Sequence, residues 1–398
     1  MLSDKNLPDF FIYYEIYRNF TCDKYRYEIY RKKMKANPFK FGTVVDGSYF
    51  TDREDELVKI TSFIRGENHL ILISPRRFGK TSLIRKIVNE SGRHHVYLDL
   101  QLVISADDFA SQLLKRIYRL FPVQKLKGYI KSFRLIPSII MNPVTGETEI
   151  SFKPGSKDLN PLEDVLNLID KLGSDEKKII VVLDEFQDIF RIQTGLDRLL
   201  RSVMQNHKNT NYIFLGSSES MIRDIFEKKN SSFYRFGSLM TLPKISTQKF
   251  ALFLEEKFKI ITDQIRVLSE GILNITDSHP YYTQQLAFTV WELLVRSEYS
   301  PGIVENAAND IVQSHDNDYE RLWNSLNRTD MTILTGMADN SISPLSDEFS
   351  RLYGTGAVST VFSTLQRLTR KGIIIKESTG YIMDDPFFKR WIIMRRKI

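Results

Sequence analysis

Ile71-Leu72-Ile73-Ser74-Pro75-Arg76-Arg77-Phe78-Gly79-Lys80-Thr81-Ser82-Leu83-Ile84 decides the fold of this chain. An apolar run fit for a buried strand enters a short polar loop, and a helical pattern leaves it directly. The loop fits G-x-x-x-x-G-K-[ST], with Ser74 where the first glycine usually stands. Each residue type has a physical reason. Gly79 lets the backbone curl so that successive N–H groups and the helix N-terminus face phosphate oxygens, Lys80 reaches the β and γ phosphates, and the Thr81 hydroxyl is a Mg²⁺ ligand. Ser74, Pro75, Arg76, Arg77, Phe78, Gly79, Lys80, Thr81 and Ser82 are therefore the expected ATP-binding set. A bare G-K-[ST] arises by chance in roughly 20% of chains of this length, so the motif needs its strand and helix context and a partner elsewhere.

The partner is Lys178-Ile179-Ile180-Val181-Val182-Leu183-Asp184-Glu185, an apolar strand ending in two carboxylates. In an open α/β sheet such an end lies at the ligand-binding edge. Asp184 is expected to hold Mg²⁺ together with Thr81, and Glu185 to orient the attacking water as a base. The next strand ends in Leu215-Gly216-Ser217-Ser218, which makes Ser218 a candidate sensor of phosphate or water, or else part of a serine turn. Ser231-Ser232-Phe233-Tyr234-Arg235-Phe236 offers Arg235 in an aromatic setting, either an arginine finger given to a neighbouring site or a stacked surface residue.

Around these strings, short apolar runs alternate with helical patterns, the signature of a parallel sheet flanked by helices. Strands are expected at 69–73, 96–100, 178–183 and 212–215, and helices at 81–90, 106–121, 161–172 and 195–205, the third capped by Asn160 and ended by Gly173. Ile136–Met141 and Glu147–Phe152, flanking Asn142-Pro143-Val144-Thr145-Gly146, read as a hairpin inserted near 133–153. The division is a basic, aromatic helical extension over 1–41, a P-loop core over 42–246, a helical lid over 247–317 and a winged helix over 318–398. In the last, three helices precede the strands Gly372–Glu377 and Tyr381–Met383.

Composition narrows the function classes. At 398 residues with 42% apolar and 26% charged residues, the chain is a multidomain globular protein. One cysteine excludes an internal disulfide, six scattered histidines show no zinc spacing, and no apolar run approaches a membrane span, so a soluble, cytoplasmic protein without a membrane partner is expected. The net charge of +7 sits at the ends: residues 1–41 hold nine Lys and Arg against five Asp and Glu, residues 364–398 nine against three. Basic ends suit duplex DNA through phosphate neutralisation, and equally suit a solvated surface.

As an ordered set, these strings resemble the archaeal-type ATPases of the AAA+/STAND division of P-loop NTPases. The carriers are Phe50-Thr51-Asp52-Arg53-Glu54-Asp55-Glu56-Leu57, the P-loop, Val182-Leu183-Asp184-Glu185-Phe186-Gln187, Gly216-Ser217-Ser218, His279-Pro280-Tyr281-Tyr282 and Tyr381 to Trp391. The resemblance implies an ATP-binding core with a helical lid and a winged helix, working by nucleotide-dependent change of shape. It implies that Arg53 and Glu54 lie near the adenine and that His279 and Pro280 face the nucleotide from the lid. Arg235 stands about one position from the arginine such proteins place before the last core strand. Three working modes stay open: a Mg-ATP hydrolase that changes its hold on a partner, a slowly hydrolysing switch acting through protein partners or a second copy, and a DNA-binding module with a structural nucleotide, for which the basic ends speak.

By helical spacing alone, the third helix of the winged domain turns Val358, Phe362, Leu365 and Leu368 to the core and Ser359, Ser363, Gln366, Arg367 and Arg370 outward. With basic residues only in its last turn, that face suits phosphate contact over base reading, or a protein partner.

Overall fold

The computed structural model describes residues 35–45, 47–51, 53–66, 68–141, 148–152, 161–297, 299–339, 342–377 and 380–396. The expected helix before residue 35, the hairpin turn at 142–146 and the Asn160 cap lie outside the described residues. The described residues fall in two compact units, one within Arg53–Lys244, the other within Ile245–Ile398 together with the described residues before Arg53.

In the first unit the order is α1 (Glu54–Arg65), β1 (Leu70–Ile73), α2 (Lys80–Glu90), β2 (His95–Asp99), α3 (Ala106–Leu120), α4 (Val123–Ile130), β3 (Ser138–Met141), β4 (Thr148–Ser151), α5 (Pro161–Leu172), β5 (Ile179–Asp184), α6 (Ile189–Ile192), α7 (Leu196–Met204), β6 (Thr210–Gly216), α8 (Glu219–Glu227) and β7 (Ser238–Thr241). Five strands make one parallel sheet in the order β2-β5-β6-β1-β7, with Ile71 paired to Phe214 and Val181 to Tyr212. Helices cover both faces of such a sheet, so β5 and β6 are buried along their whole length, while the edge strand β2 alternates. Gly173 ends α5 where a side chain would meet the Asn209 carbonyl oxygen at 2.4 Å.

The hairpin is present as the antiparallel pair β3 and β4, with Ile150 and Phe152 in the sheet core. Four elements of this unit were not legible in the sequence: α4, the short α6, α8 and the edge strand β7, whose four residues are too few to show a period. At the start of α1, Arg53 stands at the N-cap, at φ 142° and without a side-chain cap bond.

The second unit holds α9 (Thr247–Phe258), α10 (Ile265–Thr276), α11 (Pro280–Arg296), α12 (Ile303–Ser314), α13 (Asp316–Asn324), α14 (Arg328–Asp339), α15 (Asp347–Tyr353), α16 (Val358–Arg370), β8 (Ile374–Glu377), β9 (Gly380–Met383) and α17 (Pro386–Arg396). Helical and winged parts share one core, in which Trp291, Phe349, Trp391 and Leu365 are all buried. Residues 42–51, read with the P-loop core in the sequence, fall in this unit, behind Phe39, which is buried against Phe258 and Trp291.

In α16 the structure corrects the expected face. Val361, Thr364, Leu365 and Leu368 are buried, whereas Val358 and Phe362 are 45% and 44% exposed. Arg367 is not free to meet phosphate either, because it donates to the buried Asp330 carboxylate at 2.5 Å. Ser359, Ser363, Gln366 and Arg370 are exposed as expected. No helix among the described residues is long and apolar enough to cross a membrane.

Candidate active site

The carboxyl ends of β1, β5 and β6 bring the two motifs together. The P-loop leaves β1 at Ser74, which is buried and donates its N–H to the Gly216 carbonyl at 3.3 Å. Arg76 and Arg77 are exposed, Phe78 is buried, and Gly79 at φ 89° is the N-cap of α2. Open space surrounds the position of a Cβ at Gly79, so glycine is needed there for its backbone angle and not for room. Lys80 is only 6% exposed and donates to the carbonyls of Ser74 (2.8 Å) and Pro75 (3.1 Å). Burial lowers its pKa, Glu185 and Asp184 oppose the shift, and Arg76 adds to it.

Asp184 is the hub. Its Oδ2 accepts from the Thr81 hydroxyl at 3.1 Å and from the Tyr97 hydroxyl, and its Oδ1 accepts the Glu185 N–H at 2.9 Å. A hydroxyl and a carboxylate meeting beside a phosphate-binding loop are the hard oxygen donors that Mg²⁺ selects, so Thr81 and Asp184 fit that ion. Burial, then the Asp184 charge and hydrogen bond, push the Tyr97 hydroxyl well above its usual pKa, so it remains a donor. Asp99 and Asp188 are also raised, first by burial, with Glu185 adding to both. The edge is thus a concentration of negative charge that a cation would relieve.

Glu185 sits at φ 51°, an uncommon angle for a non-glycine residue. Its Oε2 accepts from Gln187 Nε2 (2.6 Å), Ser217 Oγ (2.6 Å) and the Ser217 N–H (3.2 Å). The serine on the carboxylate is therefore Ser217; Ser218 is one position further, at the N-cap of α8. Gln187 is packed close to Gly216, where a Cβ would lie 2.9 Å from its Oε1.

Arg53 is 4% exposed and donates to the carbonyls of Phe78 (3.2 Å) and Pro243 (2.7 Å) and to Glu56 (3.2 Å). It anchors the P-loop from behind. Glu54 is exposed in the first turn of α1. Arg235 precedes β7, and because Leu70 pairs with Ser238 it lies at the amino end of the sheet, opposite the P-loop. His279 and Pro280 belong to the second unit, where buried His279 caps α11 through the Tyr281 N–H and lies 3.5 Å from Asp384.

Sequence reasoning missed Tyr97, Gln187 and Ser217. Tyr97 reaches Asp184 only because β2 pairs with β5, a register no local string encodes.

A family model described as an ATPase domain predominantly from Archaea matches residues 50–286, and one described as a probable winged helix domain matches residues 317–394. Among solved structures, a Walker-type ATPase of Pyrococcus abyssi is similar at 19% identity and a TM-score of 0.62, covering 90% of this chain and 98% of its own. The ORC2 protein of Aeropyrum pernix, in ADPNP–ADP complexes, is similar at 16% identity and a TM-score of 0.50, covering 90% of this chain and 99% of its own. At such identities these likenesses concern the fold. No curated protein matches the chain.

Proposed function

Since the chain belongs to the family of ATPase domains found predominantly in Archaea, we propose that it binds Mg-ATP at the P-loop, hydrolyses it, and uses the cycle to change its hold on a partner. The observation that carries this reading is the convergence of Lys80, Thr81, Asp184 and Glu185 at one sheet edge. Bound Mg²⁺ would neutralise charge on the β and γ phosphates. Lys80 exchanges the carbonyls of Ser74 and Pro75 for phosphate oxygens. Thr81 and Asp184 hold the metal, with Tyr97 fixing the carboxylate, and Arg53 acts as a positioning residue for the loop. Glu185 aims the attacking water and takes its proton.

Glu185→Gln is expected to keep nucleotide affinity and lose turnover, measured by equilibrium binding and phosphate release on the same preparation. Equal turnover in the variant would remove Glu185 from the reaction.

One observation favours the slow-switch mode. Oε2 of Glu185 already accepts three hydrogen bonds, so the proton has to be taken at Oε1 or after a donor is given up. Gln187→Ala is then expected to raise the single-turnover rate; a fall would assign Gln187 to positioning Glu185. For the partner, the outward face of α16 mixes exposed Val358 and Phe362 with hydroxyls and one arginine, Arg370. That mixture supports a protein partner or non-specific duplex DNA contact over an operator reader.

A further inference from the structure

The amino edge of the sheet is the chemical opposite of the edge that carries the P-loop. A shallow, open cleft of about 580 Å³ lies there between the start of β1, the end of α7 and the turn before β7, lined by His69, Arg201, Arg235 and Phe236. Asn68, Gln205 and Asn206 add side-chain amides. Among the described residues, neither Arg201 nor Arg235 has a carboxylate within ion-pair distance. The acid best placed by sequence to neutralise Arg201 is Asp197, one helical turn earlier, but its carboxylate accepts from the Ser232 hydroxyl at 2.7 Å.

Both guanidinium groups lie instead against aromatic rings. Arg201 lies over Phe236, 4.3 Å from the ring centroid, and Arg235 lies 5.2 Å from the centroid of Tyr234. Arg235 sits at φ 53°, an angle that favours glycine, and its N–H is bound by the Phe226 carbonyl at 3.0 Å. A long cationic side chain kept at a strained backbone position points to a role that stability does not explain. His69 lines the same cleft. Its Nδ1 accepts the Tyr212 N–H at 3.3 Å, which places the ring proton on Nε2. Its pKa is lowered to about 4 by burial, then by Arg201, His207 and Lys178, so the ring is neutral at physiological pH. The cleft therefore combines guanidinium, amide and imidazole donors with no acid of its own.

We propose that this cleft is a second anion site, which takes a phosphate group through Arg201 and Arg235 and is separate from the P-loop. Planar guanidinium forks match phosphate oxygens bidentately, and the cleft has room for more than the phosphate itself.

The test uses the full chain with the P-loop saturated by Mg-ADP, titrated with inorganic phosphate at constant ionic strength and followed by calorimetry. Saturable binding is expected, weakened about tenfold in Arg201→Gln and in Arg235→Gly. Arg235→Gly also relieves the backbone, so its melting temperature should rise while its phosphate affinity falls, a combination that misfolding cannot produce. Competition identifies the source: displacement by AMP supports a mononucleotide phosphate, and displacement by a short DNA duplex but not by AMP supports a nucleic-acid backbone. Phosphate affinity that is unchanged in both arginine variants overturns the proposal, as does affinity lost only in Lys80→Ala. It is also overturned if no phosphate binds while turnover rises with protein concentration and falls in Arg235→Gly, because Arg235 then completes a neighbour's site.

Discussion

Lys80 in the core and Asp330 in the winged domain are both buried charges, yet they are held in opposite ways. Lys80 is bound by two backbone carbonyls, those of Ser74 and Pro75. Asp330, fully buried, is bound by Arg367 at 2.5 Å and approached by Lys371 at 4.0 Å; its Oδ2 also accepts the Asn327 N–H, and its own N–H donates to Asn327 Oδ1, at the start of α14. Carbonyls are neutral and can be exchanged for phosphate oxygens. A cation fixed on a neighbouring helix cannot be exchanged without loosening the fold. His69 shows a third solution, in which the buried group gives up its charge. The lesson is that burial alone does not identify a functional charge; the replaceability of its partners does.

The largest effect separates the first two cases. Lys80→Met is expected to lower ATP turnover by about 10²–10³-fold. It should also stabilise the ligand-free protein by about 1 kcal/mol, since an incompletely compensated buried ammonium is replaced by an apolar chain of similar length. Phosphate release and denaturant midpoints on one preparation measure both. A lysine variant that loses turnover and stability together would erase the contrast with Asp330.

His69 gives the next largest effect, through pH. Its folded pKa, near 4, lies below the value of 6.5 expected of the unfolded chain, so between those values the unfolded chain binds the proton first. Stability is therefore complete above pH 6.5 and declines as the pH falls toward 4, by on the order of 3 kcal/mol from this group. His69→Asn keeps an acceptor for the Tyr212 N–H and cannot take the proton. Urea unfolding at pH 4.5 and pH 7 should differ less in the variant than in the parent.

Asp330→Asn should be smaller, costing about 2 kcal/mol, below the usual loss for half of a buried pair because Arg367 is 39% exposed and can rehydrate. A loss in denaturant unfolding near zero would mean that the Arg367 pair does not hold α14 and α16 together.

These cases also show what the sequence could and could not carry. Lys80, Thr81, Asp184 and Glu185 were legible because phosphate and metal chemistry demands those residue types in contiguous strings next to apolar runs. Tyr97 was not, since its contact with Asp184 depends on which strand neighbours β5. Ser217 and Ser218 are chemically alike, and only the path of the chain out of β6 decides which one meets Glu185. The face of α16 was misread because two apolar stripes overlap on it: 358, 362 and 365, and 361, 365 and 368. Helical spacing accepts both. The bond from Arg367 to buried Asp330 chooses the second.

That choice gives the smallest expected effect and the sharpest check on the winged domain. If the Asp330–Arg367 bond sets the rotation of α16, Phe362 faces solvent and Phe362→Ser should change stability by no more than about 0.5 kcal/mol. Were Phe362 a core residue, as spacing alone suggests, the same change would cost about 3 kcal/mol or more. Val361→Ser is the control, because Val361 is fully buried three residues from Thr364 and should cost severalfold more than Phe362→Ser in the same urea titration. Equal losses at the two positions would mean that the helix samples both rotations, and that the pair with Asp330 does not fix which residues α16 offers to a partner.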